Sequence, residues 1–480
     1  VELGADGTSY LVVTGDEFVS ADASREWPNS LRSLIEHELR GRRTGPVPAR
    51  VADLLDRFGF DWETASEVGH MRFLPDAQAI LARVGGYAEA RARDIASRLD
   101  LPFDRVDGVN VIDSSAVFLE DYLRLTSSGG ALYGEAPYQL AAPRERLLLR
   151  QTSCLQKYLI ARDWDLSAPG VLPRCVYEQS DSFRAEPAES LQLSFRLRRF
   201  RLPESHLHGR GLDESLSQAE HVHAAVLEDP NLRDRDYAML LSVTADFRRR
   251  HADFLHNLVA TAGQPALLVE SPAGELCQDG VELDVEYKLL DSAGFARELS
   301  TFQIDERITR SFGLTAGRSP ATTIHSVPTG GVERYIFMEF DRIAQAEAAG
   351  RRARLPLWMA PAAVRIICAD DVPPGDAGVG ELAAMLEQAG VRTDIDDRAL
   401  PVSGKLADAA ADLVPYQMHV SQGNCDTSNL RILAFDAPPS GAVSMPVGNF
   451  IGLLTESDDF ARHVSIPASR RLSTKPALRR

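Results

Sequence analysis

One thiol and two imidazoles, Cys154, His206 and His325, are the side chains of this sequence whose types best suit a metal ion, although they lie far apart along the chain. One thiolate and two imidazoles suit zinc. They leave a fourth tetrahedral position open, as in a site that handles a substrate rather than one that staples a fold. Arginines gather near two of the three. His206 follows Phe183-Arg184-Ala185-Glu186 and Phe195-Arg196-Leu197-Arg198-Arg199-Phe200, which together read as an antiparallel hairpin rich in arginine. His325 precedes Gly330-Gly331-Val332-Glu333-Arg334, a glycine turn leading into a helix. Arginine is always charged and forms forked hydrogen bonds to phosphate oxygens, so the pattern anticipates a substrate that carries phosphates.

The elements that must position these residues follow from periodicity. Asp76–Leu99, rich in alanine and arginine with a repeating apolar stripe, predicts a helix. Strand-like runs recur at 172–186, 195–202, 266–270, 281–290 and 300–305. Within the second run, Phe195 and Leu197 alternate with Arg196 and Arg198, which predicts one apolar and one basic face. Asp213–Glu228 and Tyr237–Leu258 read as helices covering the sheet. Before these, Ser9–Val13 is strand-like, and Leu31, Leu34, Ile35 and Leu39 fall at helical spacing. After them the grammar changes. Val364–Ala369, Val391–Asp396, Tyr416–Val420 and Leu430–Ala434 read as strands, and Gly380–Ala389, Gly404–Leu413 and Val447–Leu454 as helices. That is the alternation of a small α/β domain.

At 480 residues the chain is long enough for two or three domains. No apolar run approaches the ~20 residues that would cross a bilayer, and no signal peptide is evident. The five cysteines, 154, 175, 277, 368 and 425, are isolated and odd in number, which anticipates reduced thiols and a cytoplasmic protein. A net charge of −17 repels a polyanion globally, yet residues 461–480 carry six basic residues and no acid, which reads equally as a local contact for a polyanion or as a solubilising tail.

The chain resembles the threonyl-tRNA synthetases in their archaeal-type form. Several ordered segments carry the resemblance: Ser66-Glu67-Val68-Gly69-His70-Met71-Arg72-Phe73, the Phe-Arg-x-Glu of motif 2 at 183–186, Phe302-Gln303-Ile304-Asp305 and the Gly-x-Glu-Arg of motif 3 at 331–334. Leu355-Pro356-Leu357-Trp358-Met359-Ala360-Pro361, the run 391–398, Val414-Pro415-Tyr416 and the closing Leu472-Ser473-Thr474-Lys475-Pro476 extend it. The implied fold is α+β: a connector at 1–60, a class II synthetase catalytic domain on an antiparallel sheet at 61–355, and an α/β anticodon-binding domain with a basic tail at 356–480. The sequence has no counterpart of the family's N-terminal editing domain. The implied reaction is activation of threonine, or a related hydroxy amino acid, by ATP with Mg²⁺, followed by transfer to tRNA in a homodimeric enzyme. Arg184 would hold the α-phosphate and the reacting carboxylate, Arg334 the γ-phosphate, and Arg196 would assist. Glu186 would accept from the adenine amino group, Phe200 would stack on the ring, and Gln303 would contact both substrates. Cys154, His206 and His325 would hold one Zn²⁺, with Glu204 beside the amino acid.

Four positions depart from the family pattern. Val109 replaces the motif 1 proline of the dimer interface, Glu204 replaces an aspartate, and Asp284 stands where the family carries a lysine. The helix Gly404–Asp412 has lost basic residues, so Asp408 and Asp412 are expected to weaken its contact with nucleic acid. Three readings therefore stay open: a threonine-tRNA ligase, a paralogue passing an activated acyl group to a different acceptor, and an accessory protein without turnover.

Overall fold

The computed structural model describes residues 2–457, apart from 4–6, 23–24, 41–44, 114, 116–118, 120–137, 142–145, 168–169, 234, 273–276, 278–280, 423–426 and 436–440, together with residues 470 and 471. The segment Leu472–Pro476, Cys425 and all of the basic tail but Arg470 and Arg471 therefore lie outside the described residues. The chain divides into two units, one of Val1–Pro48, Trp62–Met71 and Ala88–Met338, the other of Ala49–Asp61, Arg72–Tyr87 and Glu339–Arg480.

The first unit is built on an eleven-stranded sheet. Its strands in chain order are β1 (Glu2–Leu3), β2 (Ser9–Val13), β3 (Phe18–Ser20), β4 (Phe103–Arg105), β5 (Arg174–Phe183), β6 (Arg199–Gly209), β7 (Tyr237–Thr244), β8 (Ala266–Ser271), β9 (Leu283–Leu290), β10 (Ala296–Asp305) and β11 (Thr322–Val327). They run in the order β1-β2-β8-β7-β9-β10-β11-β6-β5-β4, with β3 paired to β2. All neighbours are antiparallel except β7 with β8 and β4 with β5. β11 is buried along its whole length, as its β-branched Thr-Thr-Ile-His-Ser-Val composition favours. The helix Leu212–Leu227 buries Ala219, Val222, Ala225 and Val226, the 3.6-residue stripe that the sequence shows.

Two local expectations are corrected. Tyr237–Leu258 is not one helix: Tyr237–Thr244 is the strand β7, followed by helices at Ala245–Arg250 and Ala252–Ala262. The segment Ala238–Leu241 is continuously apolar because it lies inside the sheet between β8 and β9. Such a run has no period that separates strand from helix. The helix begins where Thr244 Oγ1 accepts from Phe247 N at 3.1 Å, an N-cap. Residues 195–198, expected in a strand, form a tight turn instead. Ser194 adopts φ 63°, and the amides of Phe195 and Arg196 both donate to Gln192 O. β6 begins at Arg199.

The second unit carries a six-stranded sheet in the order Val443–Met445, Leu430–Ala434, Tyr416–Val420, Val364–Cys368, Thr393–Asp396 and Arg470–Arg471. Its central strands are parallel, and Val364, Ile366, Leu382, Leu386, Met418 and Phe450 fill its core. Asp408 and Asp412, expected to weaken a contact with nucleic acid, are half-buried and paired. Asp412 pairs with Arg365 and Arg57, each at 2.7 Å, and Asp408 with Arg398 at 2.9 Å. These acids answer arginines of their own unit. Among the described residues no helix is long and apolar enough to cross a membrane.

Candidate active site

The sheet brings the three dispersed ligand candidates together. His206 on β6 and His325 on β11 are direct cross-strand partners, with ring centroids 4.3 Å apart. Cys154 opens the helix Cys154–Ser167, and its Sγ lies 3.7 Å from His325 Nδ1. Glu204, two residues before His206 and so on the same face of β6, joins them. The four buried ligand groups lie within 4.8 Å of one another.

The surroundings specify these side chains further. Glu204 Oε2 accepts from Lys157 Nζ at 2.8 Å and from Ser153 Oγ at 2.9 Å. Burial alone would raise the Glu204 carboxyl, but Lys157, with the two histidines, holds it well below its ordinary range. His325 turns Nε2 toward Tyr158 Oη at 3.0 Å, while that hydroxyl donates to Asp305. Asp305 is itself fixed by the amides of Ile308 and Thr309 at 2.8 and 3.0 Å. A histidine anchored through one nitrogen presents the other to an ion in a defined orientation. Burial lowers His206 well below its ordinary range, with the nearby Lys157 charge acting the same way, and leaves it neutral. Burial works against charge on His325 too, yet Asp305, Cys154 and Glu204 together hold it well above the usual imidazole range.

Both ring nitrogens of His206 are buried without a hydrogen-bond partner among the described residues. An unsatisfied buried imidazole costs stability unless something ligates it. The donor set and the orphaned nitrogens of His206 fit a zinc ion.

The pairing continues across the sheet. Gln303 on β10 is the cross-strand partner of His325, and Asp284 on β9 that of Gln303. Asp284, Gln303, His325 and His206 therefore form one row on one face. Asp284 is buried and accepts from Thr301 Oγ1 at 2.9 Å.

A second pocket is lined by Arg184, Glu186, Phe195, Arg196, Leu197, Phe200, Gly331, Glu333 and Arg334. It gathers the phosphate-binding and adenine-binding candidates, whereas Gln303 belongs to the histidine row. The Arg184 guanidinium lies over the Phe200 ring at 5.0 Å, and that of Arg334 over Phe195 at 5.1 Å. Glu186 Oε2 accepts from Arg196 Nε at 2.8 Å, and Glu298 Oε2 from Arg334 Nη1 at 2.8 Å. Glu333 is structural: its Oε2 accepts from Arg201 N at 2.9 Å and ties the helix Val332–Ala348 to β6. Gly330 sits at φ 69°, and a Cβ there would stand 1.6 Å from Leu299 O, so only glycine fits the turn that starts the helix.

Sequence reasoning passed over Lys157, Ser153, Tyr158 and Glu298. Lys157 and Tyr158 sit three and four residues beyond Cys154, where one helical turn returns to the same face. That spacing was a signal within reach.

Similar architectures are known. The RNA binding domain of threonyl-tRNA synthetase from Cryptosporidium parvum superposes with a TM-score of 0.67 at 13% identity, covering 86% of this chain and 98% of that one. Giardia lamblia prolyl-tRNA synthetase, in complex with prolyl-adenylate, gives 0.60 at 16% identity over 84% of this chain and 74% of that one. The fold is that of a class II aminoacyl-tRNA synthetase. No family model matches the chain. Threonine–tRNA ligase of Pyrobaculum calidifontis is 35% identical over 434 residues, 88% of this chain and 68% of the relative. At that likeness and coverage, the chain belongs to the threonine–tRNA ligase family.

Proposed function

We propose that this chain activates threonine with ATP and transfers the threonyl group to tRNA. The observation that carries the reading is the sharing of one strand by two pockets. Phe200 of the arginine-lined pocket and Glu204 and His206 of the ligand cluster lie on one face of β6. Six residues of strand span about 20 Å, room for an amino acid joined end to end with a nucleotide.

In activation, a threonine carboxylate oxygen bonds to the α-phosphorus of ATP while the bond to the β-phosphate oxygen breaks and pyrophosphate leaves. Two anions must meet, so fixed cations and alignment matter more than a proton-transferring base. Arg184 bridges the α-phosphate and the carboxylate. Arg334 and Arg196 neutralise the outer phosphates, which arrive with Mg²⁺. Phe200 stacks on adenine and Glu186 accepts from its amino group. Gln303, beside His325, orients the amino acid. Cys154, His206 and His325 would hold one zinc ion, which would supply a Lewis acid favouring a side-chain hydroxyl that valine lacks. In transfer, a ribose hydroxyl of the tRNA end attacks the acyl carbon and AMP departs, with the second unit meeting the anticodon. The family reading further implies a homodimer, with Val109, 63% exposed, at the position of the motif 1 proline.

The test is charging of bulk tRNA with labelled threonine. Threonine and ATP should yield acid-precipitable threonyl-tRNA, and stripping the metal should abolish it. Threonine-dependent exchange of pyrophosphate into ATP without any tRNA product would instead favour a different acyl acceptor.

A further inference from the structure

Glu204 is oriented as a ligand rather than as a bystander. Both carboxylate oxygens lie near Cys154 Sγ, Oε1 at 3.3 Å and Oε2 at 3.5 Å, but their other partners differ. Oε2 is held by Lys157 Nζ at 2.8 Å and Ser153 Oγ at 2.9 Å, and Lys157 Nζ also reaches the Glu204 carbonyl at 3.2 Å. Oε1 is thereby turned into the cluster, 3.3 Å from Cys154 Sγ and 3.7 Å from both His206 Nε2 and His325 Nδ1. Cys154 Sγ to His325 Nδ1 is 3.7 Å. Ligand atoms held tetrahedrally at about 2.0–2.3 Å from a zinc ion stand roughly 3.3–3.8 Å from one another. Four of the six edges of such a tetrahedron are thereby matched, with a carboxylate oxygen at one corner, and the ligand atoms of all four residues lie within 4.8 Å of one another.

We propose that Glu204 is the fourth protein ligand of the ion, so that the site is closed until an amino acid arrives, and that Lys157 is the positioning residue that keeps it closed. The proposal rests on the metal reading of Cys154, His206 and His325. It reverses the expectation of an open position drawn from three ligands alone. An incoming amino acid meets an occupied corner. Either Glu204 withdraws or the ion accepts a fifth ligand. Both make position 204 a determinant of amino-acid affinity. Glu204→Asp, with one methylene fewer, pulls the oxygen out of the corner.

The experiment uses the full chain loaded with cobalt(II), whose visible bands report coordination number, and azide as a small exogenous ligand. Azide should leave the wild-type spectrum unchanged and shift those of Glu204→Ala and Lys157→Met. In chelator competition Glu204→Ala should hold the metal roughly 10- to 100-fold more weakly. A cobalt spectrum of the wild-type protein that shifts with azide would overturn the proposal, and this arm needs no substitution to fold well. Equal metal affinity in the two proteins would overturn it too. A wild-type protein that takes up no cobalt would overturn the metal reading itself, and the proposal with it.

Discussion

Arg184 shows what a single side chain is asked to do. Its guanidinium lies over Phe200, inside the pocket that also holds Arg334. A lysine there keeps the charge but loses the planar fork that spans two anionic oxygens. Arg184→Lys should lower the rate of threonine-dependent pyrophosphate exchange by about 10²–10³, as removal of one oriented donor does elsewhere. Unchanged circular dichroism in the variant would show that the loss is chemical. Exchange within a factor of two of wild type would remove Arg184 from the reacting centre. The side chains that carry charge at this site were largely legible from the sequence, because motifs with fixed spacing name them. Their supports were not. Tyr158, Asp305 and Lys157 matter through contacts across more than 40 residues of chain, and nothing local in the sequence states such contacts.

Among the elements, the glycine turn before the helix Val332–Ala348 sets where Arg334 stands. Gly330 has a positive φ and a carbonyl in the way of any Cβ, whereas a Cβ at Gly331 would make only ordinary contacts at 3.6 and 4.0 Å. Gly330→Ala should therefore cost at least ~2 kcal/mol of stability, read as a lower Tm. Gly331→Ala should cost well under ~1 kcal/mol. Equal effects would mean that the turn relaxes freely. The elements also show where periodicity fails as a guide. The strands and helices of the second unit matched because each is short and bounded by turn residues, although Val364–Cys368 and Thr393–Asp396 are buried along their whole length. β7, inside the sheet with neighbours on both sides, has no polar alternation, and its apolar run continues toward the following helices. The turn at 192–196 is set by a left-handed Ser194, whose Oγ donates to Glu333 O at 2.8 Å, a partner from another part of the chain. The arginine alternation at 195–198 therefore imitated a strand that starts only at Arg199.

At the scale of the whole molecule, a net charge of −17 coexists with one pocket rich in arginine. Arg184, Arg196 and Arg334 are gathered in one pocket, and much of the remaining arginine is spent on partners of its own. Arg297 is buried against Asp291 and Gln192, and Arg365 against Asp394 and Asp412. Family membership extends over most of the chain, and the ligand cluster and the arginine pocket share one sheet. The central claim is that an ion held by Cys154, His206 and His325 selects the hydroxyl of threonine beside that nucleotide pocket. Pyrophosphate exchange measured with threonine and with valine, on protein as isolated, stripped by chelator and reloaded with zinc, tests it most directly. The account predicts a preference for threonine on the order of 10⁴, lost on stripping and restored by zinc. Exchange with threonine that survives complete removal of the metal, or valine activated as well as threonine by the loaded protein, would contradict it.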